Sequence, residues 1–564
     1  MHFVSTENGF RLERNGTSFT FSVKKIPTCC EDFVKLTVRG TIPVPKIISG
    51  DRILLPVDEG IALVAEGEYE FGNISSDFCS RGGTMSMIII ERNGQYLLCA
   101  LDTGAYARYE LIKESGLYQL SMYCTEPCEV QYIICSTLAE ACRYYRRLKA
   151  HLLSFLENKI SALPESEKLI GGAIFWVWND DYERVMYSDE NPDISPCAAE
   201  FMLQAAEKLY ARGVKKALFG IFFGPDGRAA APLYNKFGYI STKYDNYNDV
   251  PRPDMLKFIP KNRILNCDYS QRRIKDYPDG VQTDANGELT KAWALRGYDG
   301  KMHDQNTLCP KVAAQRMKEE IPAQWEEFPA YEGRFIDVYG GGIASCSSKK
   351  HPVTRGECIQ IKNKAFRFVS DLGLITGTED GFEDIIGSIL YNEGMNSPFH
   401  FRFDKMDCGR RKAQDYGEEG AAFQKKYMLN PACRVPLWHL VYHDCVISFP
   451  YWGDAINSCR ETMQDKALFS CLYGCPPLYS FFAGNFDALE EEIVRTYHMI
   501  AEVTEKVTTL PMTDFVYLTK DFTVQKTVFG GRYTVVANFS EKDFEYKGVV
   551  VKAHNKTFIE GDTK

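Results

Sequence analysis

Acidic residues follow most of the apolar runs in the central part of the chain, and aromatic residues lie between them. The polar run ends are Asp180, Asp245, Asp249, Asp337, Glu379, Asp380, His443, Asp444 and Asp454. An ionised carboxylate is costly to bury, so each of these needs a hydrogen-bonding partner, a cation or a chemical task. A single Asp at a strand end is commonly a cap for the next turn. Carboxylates after five candidate strands indicate a shared site.

Paired carboxylates with aromatic neighbours suit the hydrolysis of glycosidic bonds. One carboxylate acts in its ionised form and the other as a protonated acid, while aromatic rings pack on the C–H faces of a sugar. A phosphate substrate would favour clustered Arg, Lys or a Gly-rich nest, and acyl transfer would favour a G-x-S-x-G elbow. No such Arg or Lys cluster stands at these run ends, and no G-x-S-x-G occurs in the sequence. The expected partner is a carbohydrate.

The apolar runs that carry these residues alternate with helical patterns from about residue 168 onward. Candidate strands are "LIGGAIFWVW", "KKALFGIFFG", "YISTKYD", "RFIDVYG", "LGLITGTED" and "LWHLVYHDCVIS". Strands that alternate with helices over more than 300 residues predict a parallel sheet, and this number of units favours a (β/α)₈ barrel. In such a barrel the chemistry lies at the C-terminal ends of the strands.

The rest of the chain predicts a multidomain α/β protein. Short β-branched and aromatic runs with Gly, Asn and Asp turns predict an N-terminal β-sandwich at 1–137. A helical linker follows at 138–167, the catalytic barrel at 168–506, and a small C-terminal β-domain at 507–564.

Charge, hydropathy and cysteine usage exclude several classes of partner. The net charge is −9 and there is no long basic run, which argues against nucleic acid and against an anionic membrane surface. Without a spanning apolar segment or signal-peptide pattern the chain is expected to be cytoplasmic, although a chain trimmed of its leader would read the same. The 19 cysteines form no paired C-x-x-C motifs, so reduced structural thiols are expected and zinc is not.

Several motifs, taken in order, resemble glycoside hydrolase family 129, which is related to family 101. They are "STKYDNYNDV", "FIDVYGGG", "LGLITGTEDGFED", "VPLWHLVYHDCVISFPYWGD" and "LYGCPPLYS". The resemblance implies a retaining α-N-acetylgalactosaminidase that acts on mucin-type O-glycans. It also implies a β-sandwich before a (β/α)₈ barrel and a β-domain after it.

The resemblance implies roles for three carboxylates. Asp337 matches the catalytic nucleophile, Glu379 the general acid/base, and Asp245 a residue that binds sugar hydroxyls. Within "TEDGFED" four carboxylates lie together, so Asp380 and Glu383 are alternative acids. The chemistry itself requires no cofactor. The resemblance implies a structural calcium, although no D-x-D-x-D-G loop occurs in the chain.

Further residues at the run ends are expected to bind the substrate. They are Tyr247, Trp178, Tyr339, His443, Asp444, Trp452 and Asp454. Trp176 and Trp178 share one strand face, which either lines the sugar site or fills the barrel core. The metal ligands stay unassigned.

Three alternatives remain open from the sequence. The same scaffold could act on another α-hexoside as an α-galactosidase does, because no residue identifies the 2-acetamido group. The chain could instead be a carbohydrate-binding protein that has lost its chemistry, although both Asp337 and Glu379 are present. The third alternative is a metal-dependent barrel hydrolase centred on His443, Asp444 and Asp454.

Overall fold

The N-terminal part of the protein is built from antiparallel sheets. The computed structural model describes residues 1–23, 27–180, 199–222, 224–258, 273–297, 299–327, 329–402 and 417–561. Strands β1 to β3 form a meander, and β4 to β12 form a larger sheet with the central order β4-β5-β12-β10-β9-β6-β7. Alternate residues of β3, such as Phe19 and Phe21, are buried against this larger sheet, as a half-buried strand requires.

The bounds of these strands are β1 His2–Thr6, β2 Gly9–Arg14, β3 Thr17–Ser22, β4 Thr28–Cys29, β5 Val34–Ile42, β6 Arg52–Leu55, β7 Ile61–Val64, β8 Ile74–Asp77, β9 Met87–Arg92, β10 Gln95–Leu101, β11 Ala107–Glu114 and β12 Leu117–Cys135.

Eight parallel strands form the centre of the molecule in the order β22-β21-β20-β19-β15-β14-β13-β23. Their bounds are β13 Ala173–Trp178, β14 Ala217–Ile221, β15 Ile240–Asn246, β19 Gly333–Asp337, β20 Ile375–Glu379, β21 Tyr391–Glu393, β22 Ile447–Phe449 and β23 Leu478–Phe482. All residues of these strands except Tyr244 and Asp337 are buried, as expected for parallel strands covered on both faces.

The barrel is nearly closed, with a seam between β22 and β23, the two ends of the sheet order. The segment after β22 fills this seam. Its Ile456 N–H donates to the Leu478 carbonyl at 2.9 Å. The side-chain amide of Asn457 donates to the Ser480 carbonyl at 2.8 Å and accepts from the Ser480 N–H at 3.0 Å. The side chain of Asn457 thus hydrogen-bonds the backbone at the edge of β23 as a neighbouring strand would.

Ten α-helices are found in the described residues, and those of the barrel cover its outer face. Their bounds are α1 Leu138–Leu148, α2 Leu156–Ala162, α3 Ala199–Ala211, α4 Ala230–Phe237, α5 Pro310–Glu327, α6 Arg355–Asp371, α7 Gly417–Lys426, α8 Leu437–Tyr442, α9 Met463–Tyr473 and α10 Phe486–Val507. Helix α6 begins with a capping box formed by Thr354 and Glu357. None of the described helices has the length and apolar composition needed to cross a membrane.

Two further β regions complete the chain. A three-stranded sheet follows β15, with β16 Asp249–Val250, β17 Lys291–Arg296 and β18 Met302–Thr307. The C-terminal antiparallel sheets contain β24 Met512–Tyr517, β25 Val524–Phe529, β26 Tyr533–Asn538, β27 Phe544–Tyr546, β28 Val549–Val551 and β29 Asn555–Glu560.

The predicted fold class is confirmed: antiparallel sheets, a parallel barrel and a final antiparallel region follow one another. One predicted strand is wrong. The run "LWHLVYHDCVIS" contains helix α8 and only then the short strand β22. A short apolar run has no period that separates a buried helix from a buried strand.

Candidate active site

Four polar side chains lie in one row across neighbouring barrel strands, each at a strand's C-terminal end. Asn246 on β15 is in register with Asp337 on β19, and Glu379 on β20 is in register with Glu393 on β21. Ile336 pairs with Thr378, so the residues that follow them, Asp337 and Glu379, are neighbours. This places two carboxyl groups side by side at the face where barrel enzymes carry their chemistry.

Asp337 is held by donors from β15. The Tyr244 hydroxyl donates a short hydrogen bond to Asp337 Oδ2, and the Asn246 side-chain amide lies 3.4 Å from the same oxygen. Burial raises the pKa of Asp337 to about 7 and the bond from Tyr244 opposes that rise. The nearby charge of Asp249 raises it further. Asp337 is therefore poised to ionise near neutral pH.

A hydrogen bond between Glu379 and Asp337 lowers the pKa of Asp337. Burial raises the pKa of Glu379 well above its ordinary value, and the charge of Asp337 raises it further. Two like charges in contact cannot both be ionised at little cost. Because the burial of Glu379 outweighs the effect of the nearby arginines, Glu379 is the carboxyl group that keeps the proton.

An arginine from the N-terminal sheets reaches the carboxylates of the barrel. Arg81 Nη2 lies 3.0 Å from Asp380 Oδ1, and Arg81 Nε lies 3.5 Å from Asp58 Oδ1. The guanidinium also lies over the ring of Phe399, 5.0 Å from its centroid. Burial raises the pKa of Asp380 while Arg81 lowers it. Asp380 is thus occupied by an ion pair, which leaves Glu379 as the better acid.

Glu393 is a third buried carboxyl group beside the pair. It accepts a hydrogen bond from Trp176 Nε1 at 3.0 Å. Burial raises the pKa of Glu393 well above its ordinary value, and the charge of Asp337 acts in the same direction. A neutral Glu393 would fix the orientation of Trp176 without adding charge to the site.

Asp249 lies on the other side of Asp337. The Asn246 amide donates to Asp249 Oδ2 at 2.9 Å and the Asn248 amide to Asp249 Oδ1 at 3.1 Å. Burial raises the pKa of Asp249 to about 6, and these two hydrogen bonds oppose the rise. Asn246 therefore joins Asp249 to Asp337.

An aromatic group extends from the carboxylates towards the mouth of the barrel. The rings of Trp176 and Trp178 stack with centroids 5.9 Å apart, and Trp452 contacts Trp178 at 5.3 Å. Trp178 Nε1 donates to Ser480 Oγ at 2.8 Å. Trp452 is only half-buried, so the group ends at the surface. Such a set of rings can pack on sugar C–H groups.

Backbone geometry at the strand ends explains the glycines that follow the carboxylates. Both Asp337 and Glu379 are followed by a residue with positive φ, Val338 at 50° and Asp380 at 56°. A β-branched residue is strained there. A Cβ on Gly340 would lie 2.5 Å from the Thr378 side chain, so only glycine lets the loop after Asp337 pass this close to β20.

Asp245, predicted to bind sugar hydroxyls, lies outside this row of side chains, and that role stays a prediction. It is in register with Ile336 rather than with Asp337, so it points away from the barrel interior. There it forms ion pairs with Lys243 at 2.7 Å and Arg334 at 3.5 Å. Tyr247 is also buried, with its ring 4.4 Å from the guanidinium carbon of Arg273.

Four other predicted residues also have structural partners of their own. Tyr339 packs on Phe366 of α6 and its hydroxyl donates to the Pro310 carbonyl at 3.4 Å. His443 contacts the carbonyl oxygens of Leu510 and Gly474 at 2.7 and 3.2 Å.

Asp444 and Asp454 are paired with arginines. Asp444 forms a two-point ion pair with Arg146 of α1, with both N–O distances 2.8 Å. Asp454 Oδ2 lies 2.5 Å from Arg402 Nε. The sugar-binding roles of Tyr339, His443 and Asp444 stay predictions, and among the described residues His443, Asp444 and Asp454 do not converge as a group of metal ligands. His443 and Asp444 directly follow helix α8 instead of ending a strand.

The site also contains residues that the motif analysis missed. Tyr244 and Asn246 are one residue away from Asp245 on β15 and so lie on the opposite face, and only the register of β15 with β19 places them beside Asp337. Glu393 follows the short run "ILYN" and directly precedes Gly394. This resembles "RFID" and "TGTED", which also stop on carboxylates shortly before glycine. No local signal identifies Arg81.

The calcium implied by the resemblance was compared with the oxygen donors present. Ca²⁺ takes six to eight oxygen ligands. Within the described parts of the chain, the group of three or more acidic, His or Cys ligands that converges is Cys309, Cys346 and His351. That set has sulfur and nitrogen donors, which do not fit calcium. Calcium stays a prediction, and no step below depends on it.

The chain was then compared with known proteins. The family model described as glycosyl hydrolases related to the GH101 family, GH129, matches residues 228–528, more than half of the chain. No curated protein matches in sequence. Among solved structures, the α-N-acetylgalactosaminidase NagBb from Bifidobacterium bifidum, as a quadruple mutant, is similar with a TM-score of 0.68 at 14% identity, covering 98% of each chain. Its GalNAc complex has a TM-score of 0.64 at 16% identity, covering 98% of this chain and 91% of that one.

Proposed function

The chain belongs to glycoside hydrolase family 129, and on that premise we propose that it is a retaining exo-α-glycosidase. Its proposed substrate is α-linked N-acetylgalactosamine of mucin-type O-glycans. Asp337 is the proposed nucleophile and Glu379 the general acid/base. The observation that carries the proposal is the contact between these two carboxyl groups, one ready to ionise and the other holding a proton.

The separation of the two carboxyl groups supports retention. Retaining enzymes hold them about 5 to 5.5 Å apart with the sugar between them, whereas inverting enzymes need about 6.5 to 9.5 Å to admit a water molecule. Here the carboxyl groups of Asp337 and Glu379 are in hydrogen-bond contact. This contact is nearer to the shorter of the two spacings.

In the first step, an ionised oxygen of Asp337 attacks the anomeric carbon. The bond between that carbon and the leaving oxygen breaks, and the leaving oxygen takes the proton of Glu379. The product of this step is a glycosyl ester of Asp337 and a free aglycone. Tyr244 holds the carboxylate before attack, and its hydrogen bond orients the nucleophile.

In the second step, water cleaves the ester. Once Asp337 is esterified it carries no charge, so the pKa of Glu379 falls and Glu379 can accept a proton from water. The water oxygen attacks the anomeric carbon on the face left by the aglycone, and the electron pair of the ester bond returns to Asp337. The two inversions give net retention.

The identity of the sugar is supported by the relative rather than by any named residue. NagBb is an α-N-acetylgalactosaminidase and was solved as a GalNAc complex. The ring stack formed by Trp176, Trp178 and Trp452 would accept any pyranose face. Another α-hexoside, as for an α-galactosidase, is therefore the second candidate.

The test is a panel of aryl α-glycosides followed by NMR of the first-formed anomer. We expect hydrolysis of the α-GalNAc substrate with α-GalNAc as first product. Inversion of the anomeric centre would refute the mechanism. Absence of turnover across the whole panel would favour a carbohydrate-binding protein without catalysis.

Two alanine variants separate the roles of the carboxyl groups. Asp337→Ala should lose activity on every substrate, and azide should restore turnover with an inverted product. Glu379→Ala should retain the first step on p-nitrophenyl substrates, which need little protonation of the leaving group, and azide should give a retained product. If Asp380→Ala behaves as expected for Glu379→Ala, the acid/base moves by one residue.

A further inference from the structure

Two cysteines and a histidine converge outside the active site. Sulfur atoms of Cys309 and Cys346 and a ring nitrogen of His351 all lie within 4.8 Å of one another, and all three residues are buried. Cys309 directly precedes helix α5. Cys346 and His351 lie in a short loop closed by the backbone pair of Cys346 and Val353, with bonds of 2.7 and 2.9 Å.

The spacing of the donor atoms matches that of ligands on a tetrahedral metal. Cys346 Sγ lies 3.4 Å from His351 Nδ1. Sulfur at about 2.3 Å and nitrogen at about 2.0 Å from a tetrahedral zinc ion would be about 3.5 Å apart. The sulfur of Cys309 also lies 3.5 Å from the carbonyl oxygen of His351, so it is next to the same loop.

The groups around the three ligands are arranged as the outer shell of a metal site commonly is. His351 Nε2 lies 2.6 Å from the Asp279 carbonyl oxygen, so Nε2 carries the proton and Nδ1 presents its lone pair to Cys346. Backbone N–H groups of Lys311 and Val312, in the first turn of α5, point at the sulfur of Cys309.

We propose that Cys309, Cys346 and His351 bind one zinc ion, with a small ligand such as water in the fourth position. Two thiolates and an imidazole are soft donors that select zinc over calcium. This site is separate from Asp337 and Glu379 and does not depend on the proposed function.

The zinc ion would anchor the loop that follows the nucleophile. That loop leaves β19 after Asp337, passes Gly340 and reaches Cys346, and the zinc would join it to the start of α5. Through the hydrogen bond of His351, it would also be joined to Asp279. The zinc ion would thereby stabilise the strained backbone at Val338 by fixing the other end of the loop that contains it.

Two other states of the same residues are possible outcomes. A Cys309–Cys346 disulfide would consume both thiols and leave His351 without a role. A hydrogen-bonded group of free thiols would bind no metal. Both would overturn the proposal.

The test uses the full chain, purified without a metal-binding tag, in the presence of a phosphine reductant and zinc, then passed over a desalting column. Elemental analysis should find about one zinc per chain. Cys346→Ser and His351→Gln should each lower that content at least tenfold. The control is Cys358→Ser, a buried cysteine of α6 outside the group, which should keep its zinc.

A spectroscopic measurement on the wild-type protein covers the case in which a variant fails to fold. Replacement of zinc by Co²⁺ should give the intense visible bands of a tetrahedral site and a near-ultraviolet band from thiolate to cobalt. A protein without metal and without these bands refutes the site. So does an intact mass lower by two hydrogens, which would show the disulfide, or equal zinc in the wild type and both ligand variants.

Discussion

Removal of the Tyr244 hydroxyl should move the acidic limb of the pH–rate profile. Tyr244 donates the short hydrogen bond to Asp337 Oδ2, and the other donor to that oxygen, Asn246, is distant at 3.4 Å. The bond favours the ionised form of Asp337 and lowers its pKa. Tyr244→Phe therefore raises that pKa, and a larger share of the enzyme holds an unreactive, protonated nucleophile at each acidic pH.

The size of the effect follows from the kind of bond lost. A hydrogen bond to a charged group contributes about 1.5 to 3 kcal/mol, and 1.36 kcal/mol corresponds to one pH unit. The acidic limb of kcat/KM, set near neutral pH by the pKa of about 7 of Asp337, should move up by roughly one to two pH units. Below the limb kcat/KM should fall about 10- to 100-fold, and above it the change should be small.

The assay is kcat/KM on an aryl α-GalNAc substrate from about pH 4 to 10, with samples quenched in alkali before reading. The control is Tyr239→Phe, which also removes a buried hydroxyl, in this case one that donates to the Val214 carbonyl at 2.5 Å, far from the carboxylates. A uniform loss at every pH with an unmoved limb would mean that Tyr244 does not set the ionisation of Asp337. An equal shift in both variants would also refute the reasoning.

Three further predictions test the architecture around the pair. Asn246→Ala should lower kcat/KM at least tenfold, whereas Asp245→Asn should mainly lower the melting temperature; the reverse result would contradict the observed strand register. Gly340→Ala should lose about 1 to 3 kcal/mol of unfolding free energy in urea, because its Cβ would meet β20 at 2.5 Å, while Gly387→Ala, with its nearest atom at 3.8 Å, should be neutral. Arg81→Met should cost about 3 to 5 kcal/mol by leaving buried carboxylates unpaired. The unfolded-state pKa values are the same in both proteins, so this loss should grow as pH rises through the folded wild-type pKa of Asp58, about 7, and a pH-independent loss would refute it.

The barrel and its two central carboxylates could be predicted because buried parallel strands are near-continuous apolar runs, and a polar residue marks the end of each run. "RFID" and "ITGTE" stop on the residues that meet in the structure. The sequence could not predict which residues of "KYDNYND" face the barrel interior. Every residue of β15 is buried or nearly so, and no polar face distinguishes Asp245 from Asn246. Short β21 was missed since three residues carry too little pattern.

Contacts between distant parts of the chain were beyond sequence reasoning. Arg81 reaches Asp380 across about 300 residues, and nothing near Arg81 indicates a barrel partner. The expectation that zinc is absent rested on the lack of C-x-x-C pairs. Cys309 and Cys346 are 37 positions apart, so only the fold brings them together.

The seam between β22 and β23 has a consequence for how the chain folds as it is made. Strand β23 pairs with β13, from Ile174 beside Leu478 to Trp178 beside Phe482, so the ring cannot close before β23 has left the ribosome. Until then β13 has an open edge, the kind of surface to which other chains add. Pairing across some 300 residues is also slow. We therefore expect ribosome-bound chains that end before β23 to need chaperone protection, and the hydrogen bonds of Asn457 at the seam to form only after Ser480 has been synthesised.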